Sequence, residues 1–147
     1  MKGGIGAAAA GLLLALSAVN AASADDVVGQ RQALMKEIGK HMKEAGGLAS
    51  GQTAWDAAQA KALTGAVAEN AKTALTLFPE SSAGDPESHA SAKIWQDKAD
   101  FDKRLTDLAA MAAAAGAAST VEEFQAAFKP LGGTCKSCHD IYREKKE

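Results

Sequence analysis

The amino-acid sequence predicts an all-α chain folded as an antiparallel four-helix bundle, and three observations carry that expectation. Alanine, the best helix former, supplies 35 of the 147 residues. Apolar residues recur at three- and four-residue steps in four stretches, the spacing of one helical face. Glycine- and proline-bearing breaks separate the stretches, so the connections are short and neighbouring helices run antiparallel.

The chain begins with a different kind of segment. Lys2 is followed by an uncharged apolar run from Ile5 to Val19 and by Ala22-Ser23-Ala24, which satisfies the small-residue rule for signal-peptide cleavage. Fifteen apolar residues fall short of the ~20 that cross a bilayer. Residues 1–24 therefore read as a signal peptide and 25–147 as one domain. No second long apolar run follows, so no stable membrane insertion is expected after cleavage.

The first helix is expected over about Asp26 to Ala45, with Val28, Leu34, Met35, Ile38 and Met42 on its apolar face and Gly46, Gly47 and Gly51 ending it. Thr53 is a candidate cap for the second, whose broad face runs from Trp55 through Leu63 and Val67 to Leu77 and Phe78, with Pro79 as its stop. Residues 80–90 lack periodicity and read as a connecting loop. Ile94, Phe101, Leu105, Leu108 and Ala112 mark a third helix closed by Gly116. Thr120 and Glu123 form a capping box that opens the fourth. Its apolar positions, Phe124, Phe128, Leu131, Cys135, Cys138 and Tyr142, make one seam, in which Pro130 predicts a kink or a break.

All 18 acidic residues and 15 of the 16 basic ones lie after residue 24, which leaves a formal net charge of −3. That balance offers no basic field for nucleic acid. Two cysteines three positions apart would close a loop too short to stabilise the fold much as a disulfide.

Cys135-Lys136-Ser137-Cys138-His139 is the C-x-x-C-H pattern of c-type haem attachment. On a helix, residues three and four apart share a face, so two thiols can reach neighbouring vinyl groups of one macrocycle while His139 offers its imidazole to the iron. A structural zinc site would need four ligands, and only His41 and His89, both expected to be exposed, remain to complete one. A thioredoxin-like pair belongs at the start of a helix after a strand. A plain disulfide leaves the histidine unexplained.

A C-terminal C-x-x-C-H on the last helix of a four-helix bundle resembles the class II cytochromes c, the cytochrome c′ family. The resemblance spans residues 25–147 and rests also on Arg31-Gln32-Ala33-Leu34-Met35, Leu77-Phe78-Pro79, Ile94-Trp95-Gln96-Asp97 with Phe101, and Tyr142-Arg143. It implies one covalently attached haem c per chain, with Arg31 and Gln32 near the haem propionates and Arg143 as the basic residue beside the proximal imidazole. The family divides between members with a vacant sixth iron position and low-spin members in which a first-helix methionine fills it. Met35 occupies the corresponding place.

The function expected from the resemblance is electron transfer by a periplasmic monohaem cytochrome, with redox partners in the same compartment that the sequence does not identify and a homodimer left open. The alternative is a five-coordinate protein that binds nitric oxide or carbon monoxide. A peroxidase would need an acid–base residue on the distal face. None stands near Met35, so no enzymatic activity is expected.

Overall fold

The computed structural model describes residues 24–145, in which every extended element is helical. Four long helices, α1 (Ala24–Ser50), α2 (Ala57–Ala74), α4 (Lys98–Ala115) and α5 (Val121–Tyr142), form the bundle, and a single turn, α3 (Lys93–Gln96), precedes α4. In cyclic order α1 packs on α2, α2 on α4, α4 on α5 and α5 on α1. The segment read as a signal peptide lies outside the described residues except for Ala24.

α1 does not stop at Gly46. It continues to Ser50 and ends where Gly51 turns into the left-handed region at φ 76°. Two helical glycines cost about 2 kcal/mol relative to alanine, but Ala45 and Leu48 on either side are fully buried, and that packing carries the helix through. A Cβ at Gly46 would meet the edge of the Phe128 ring at 3.8 Å, an ordinary contact, so packing there does not require the glycine.

The cap of α2 is Asp56 and not Thr53, because the Asp56 carboxylate accepts from the Gln59 amide at 2.9 Å. Thr53 instead bends the connection back, its amide donating to the Gly47 carbonyl. α2 ends at Ala74, ahead of Pro79, so Leu77 and Phe78 enter the core from a loop. The expected third helix is split at Asp97, whose backbone leaves the helical region and whose side chain caps α4. Gly116 closes α4 as expected, and its lack of a side chain matters: a Cβ would lie 2.6 Å from the buried Thr64 hydroxyl.

The capping box of Thr120 and Glu123 opens α5. Pro130 does not break the helix, which is continuous to Tyr142. The proline lies on the exposed face, where water can satisfy the carbonyl it leaves without a donor, while Phe124 and Leu131 anchor the opposite face in the core.

The core has two parts. One gathers Ile38, Leu48, Val67, Leu108, Ala112, Phe124 and Leu131. The other gathers Leu77, Phe78, Ile94, Phe101, Leu105 and Tyr142. Leu34 and Met35 of α1 touch both.

Candidate functional site

The seam of α5 places the chemistry. Phe124, Leu131 and Tyr142 are buried on it, and Cys135 and Cys138 stand half-buried on the same stripe. Two adjoining cavities open beside the cysteines, of about 460 and 540 Å³. They share Met35, Leu105, Cys138 and His139, while Cys135 lines only the larger. The rest of the larger wall is mostly apolar, with Ile38, Met42, Leu108 and Phe128. The smaller carries the polar end, with Arg31, Gln32, Lys36, His89 and Arg143 beside Phe78 and Phe101.

Electrostatics distinguish the cysteines from a redox pair. Burial pushes both thiols above the ordinary cysteine value, whereas a catalytic disulfide couple needs a lowered one. Among the described residues no cluster of three or more histidine, cysteine or carboxylate groups could hold a metal ion. His139 stands exposed at the mouth, and desolvation followed by the charge of Arg143 holds its imidazole below the usual histidine range, which favours the neutral, ligating form.

The predicted site residues converge only in part. Met35 lines both cavities together with Cys138 and His139. Arg31 lines the smaller cavity but is 4% exposed and turned to the segment after α2: it donates to the Ser82 hydroxyl at 2.9 Å, to the Ser88 hydroxyl and, at 3.4 Å, to the Leu77 carbonyl. Its guanidinium lies 5.0 Å from the Phe78 ring centre and, among the described residues, makes no hydrogen bond to a carboxylate. Burial lowers its pKa, with Asp85 opposing. Gln32 donates to the Glu87 carbonyl at 2.8 Å. Both residues therefore pin the 79–90 segment to α1. The C-terminal end closes the same segment, with the Ser91 amide donating to the Tyr142 carbonyl and the Glu144 amide to the His89 carbonyl. His89 is exposed as expected, but His41 is half-buried beside Glu37, at 3.9 Å.

One group of side chains escapes sequence reasoning. Asp100 accepts from both Arg104 Nε at 2.6 Å and the hydroxyl of Tyr142, one turn beyond Cys138 on α5, at 2.7 Å. The Asp100–Arg104 spacing of one turn is visible in the sequence. Its link to α5 is not.

A large flat apolar group attached to both thiols fits this arrangement: the paired cavities run along one helix face past both cysteines, walled by the two halves of the core and polar at one end.

Comparison with known proteins agrees. The family model described as Cytochrome C' matches residues 26–143. Cytochrome c-556 of Rhodopseudomonas palustris is 36% identical over 143 residues, covering 94% of this chain and 95% of its own. The solved structure of cytochrome c′ from Rhodopseudomonas palustris superimposes with a TM-score of 0.77 at 36% identity, over 83% of this chain and 98% of its own. A nitric oxide complex of a mutant cytochrome c′ from Alcaligenes xylosoxidans gives a TM-score of 0.76 at 29% identity, over 84% and 98%.

Proposed function

Because the chain belongs to the cytochrome c′ family, we propose that it is a periplasmic one-electron carrier holding one haem c through Cys135 and Cys138, with His139 and Met35 as the two iron ligands. The observation that carries this reading is the shared wall of the two cavities, to which Met35 of α1 and Cys138 and His139 of α5 all contribute. When bound, the haem supplies reversible one-electron chemistry at its iron.

The protein's part is to hold that group rigidly. Leu105, Phe101 and Phe128 keep water from its faces, so a change of one charge moves little around it. A thioether is soft and flexible enough to reach iron from Met35. Arg31 has five N–H donors and, among the described residues, three acceptors, which leaves donors for a propionate. Gln32 and Arg143 border the same polar end. Cleavage after Ala24 would deliver the chain to the periplasm, where the apoprotein receives its haem.

A second reading, binding of nitric oxide or carbon monoxide at an open iron position, draws on the nitric oxide complex of the Alcaligenes relative. One experiment separates the two: optical spectra of the purified holoprotein, oxidised and reduced, before and after carbon monoxide. Low-spin spectra unchanged by carbon monoxide are the expected result. A high-spin spectrum that shifts with the gas would give the protein the second function.

A further inference from the structure

We propose that Lys36, Lys40 and Lys43 on α1, with Arg143 across the cavity mouth, form the docking surface for an acidic redox-protein partner; this rests on the electron-transfer reading. Steps of four and three residues put the three lysines on one stripe of α1. Lys36 lines the smaller cavity and Lys43 the larger, so the stripe follows the rim of both. All three are exposed.

None of the four is held in an ion pair among the described residues, whereas Lys72, Lys98, Lys103, Arg104 and Lys136 each pair with a carboxylate one turn away. On α1 itself Glu37 lies beside His41. Among the described residues the one acidic residue lining either cavity, Asp107, is held by Lys103. A cationic edge thus borders the site along α1 on a chain whose formal net charge is −2. Such a local field steers an anionic partner to this face at low salt, although net charge alone would repel it.

A carboxylate-bearing protein face suits this stripe better than an anionic bilayer. An interfacial helix inserts bulky apolar residues beside its lysines. Here the apolar residues of α1, Val28, Ile38 and Leu48, are turned into the core, and among the described residues the exposed large hydrophobic is Ile141 of α5.

The test is stopped-flow oxidation of the reduced, haem-loaded protein by hexacyanoferrate(III), an anion, and by tris(phenanthroline)cobalt(III), a cation, across ionic strength. The anion's rate is expected to fall about tenfold or more as salt rises. Lys36→Glu, Lys40→Glu and Lys43→Glu together should slow it comparably at low salt and reverse the salt slope. A control of equal net charge, with Lys61, Lys93 and Lys129 changed to Glu, should retain wild-type behaviour. Titration of labelled oxidised protein with polyglutamate should shift the amide resonances of residues 36–43. Equal effects of the two triple variants, or an anion rate that rises with salt in the wild type, would overturn the docking surface while leaving electron transfer standing. Failure to react with either oxidant would overturn both. Binding to phosphatidylglycerol vesicles at physiological salt, lost in the α1 variant, would overturn the choice of a protein partner.

Discussion

Tyr142 donates its phenolic hydrogen to Asp100 at 2.7 Å, tying the last turn of the helix that carries both cysteines to the first turn of α4. Burial, then the hydrogen bond to Asp100, pushes the Tyr142 pKa up to about 12. A tyrosine kept protonated in the folded state contributes stability that is complete below the unfolded value near 10. That contribution fades between pH 10 and 12 as the unfolded chain ionises first. Tyr142→Phe should therefore lower Tm at pH 7 by about 3–8 °C and flatten the alkaline fall in stability. Parallel wild-type and variant curves above pH 10 would contradict it.

The acid limb has the opposite sign. The hydrogen bond from Arg104, then that from Tyr142, holds the Asp100 carboxyl below its ordinary value of 3.8, so its contribution is present above the unfolded carboxylate range and lost as pH falls through the lowered value. Asp100→Asn should flatten the acid side of the stability profile and also soften the alkaline fall in part, because the Asp100 carboxylate is one of the causes that raise Tyr142. Thermal melts from pH 2 to 6 decide the acid side.

Arg31 makes structural bonds that a role at the propionates does not require. Arg31→Ala should cost about 2–4 kcal/mol in the holoprotein, because the Leu77 carbonyl and the Ser82 and Ser88 hydroxyls lose a buried cationic donor. Hydrogen exchange at the amides of Ser82 and Ser88, which donate to Pro79 and Asp85, should accelerate. Unaltered exchange there would restrict Arg31 to the haem.

The elements readable in the sequence are those fixed by local chemistry. Thr120 and Glu123 meet within one turn, and the α5 seam is a repeat inside one helix, so the opening of α5 and the placing of Cys135 and Cys138 follow from spacing alone. Where tertiary packing overrides propensity, local reading fails: α1 runs through Gly46 and Gly47 because Ala45 and Leu48 are buried, and α5 runs through Pro130 because its other face is anchored. The family resemblance places Arg31 near the site, but its serine partners lie 51 and 57 positions away, and no local pattern marks such a contact. The same holds for Tyr142 and Asp100, 42 positions apart.

Thioether attachment predicts that the haem stays with the polypeptide under acid–organic extraction, since unfolding does not break carbon–sulfur bonds. Replacing Cys135 and Cys138 together by alanine should release it, and either single variant should keep it through the remaining bond. The haem-free double variant should also lose helical circular dichroism and melt without a cooperative transition, because the residues between the two core clusters lose contacts on every side. Native helicity with sharp melting in that variant would contradict the second expectation, and haem lost from the wild type the first.

Met35 decides between the two functions. It lies on the apolar stripe of α1 with Ile38 and Met42, packs against both halves of the core and lines both cavities beside Cys138 and His139. Met42 lines only the larger cavity, and Met111 lines neither. A filled sixth position keeps the iron low-spin and resists gas binding, so Met35→Ala should convert the spectrum to high-spin and admit carbon monoxide to the reduced protein. Met42→Ala should do neither. The potential should fall in the Met35 variant, because a methionine ligand raises it. A wild-type protein already high-spin, with Met35→Ala leaving its spectrum and potential unchanged, would make Met35 a packing residue and assign the protein to gas binding.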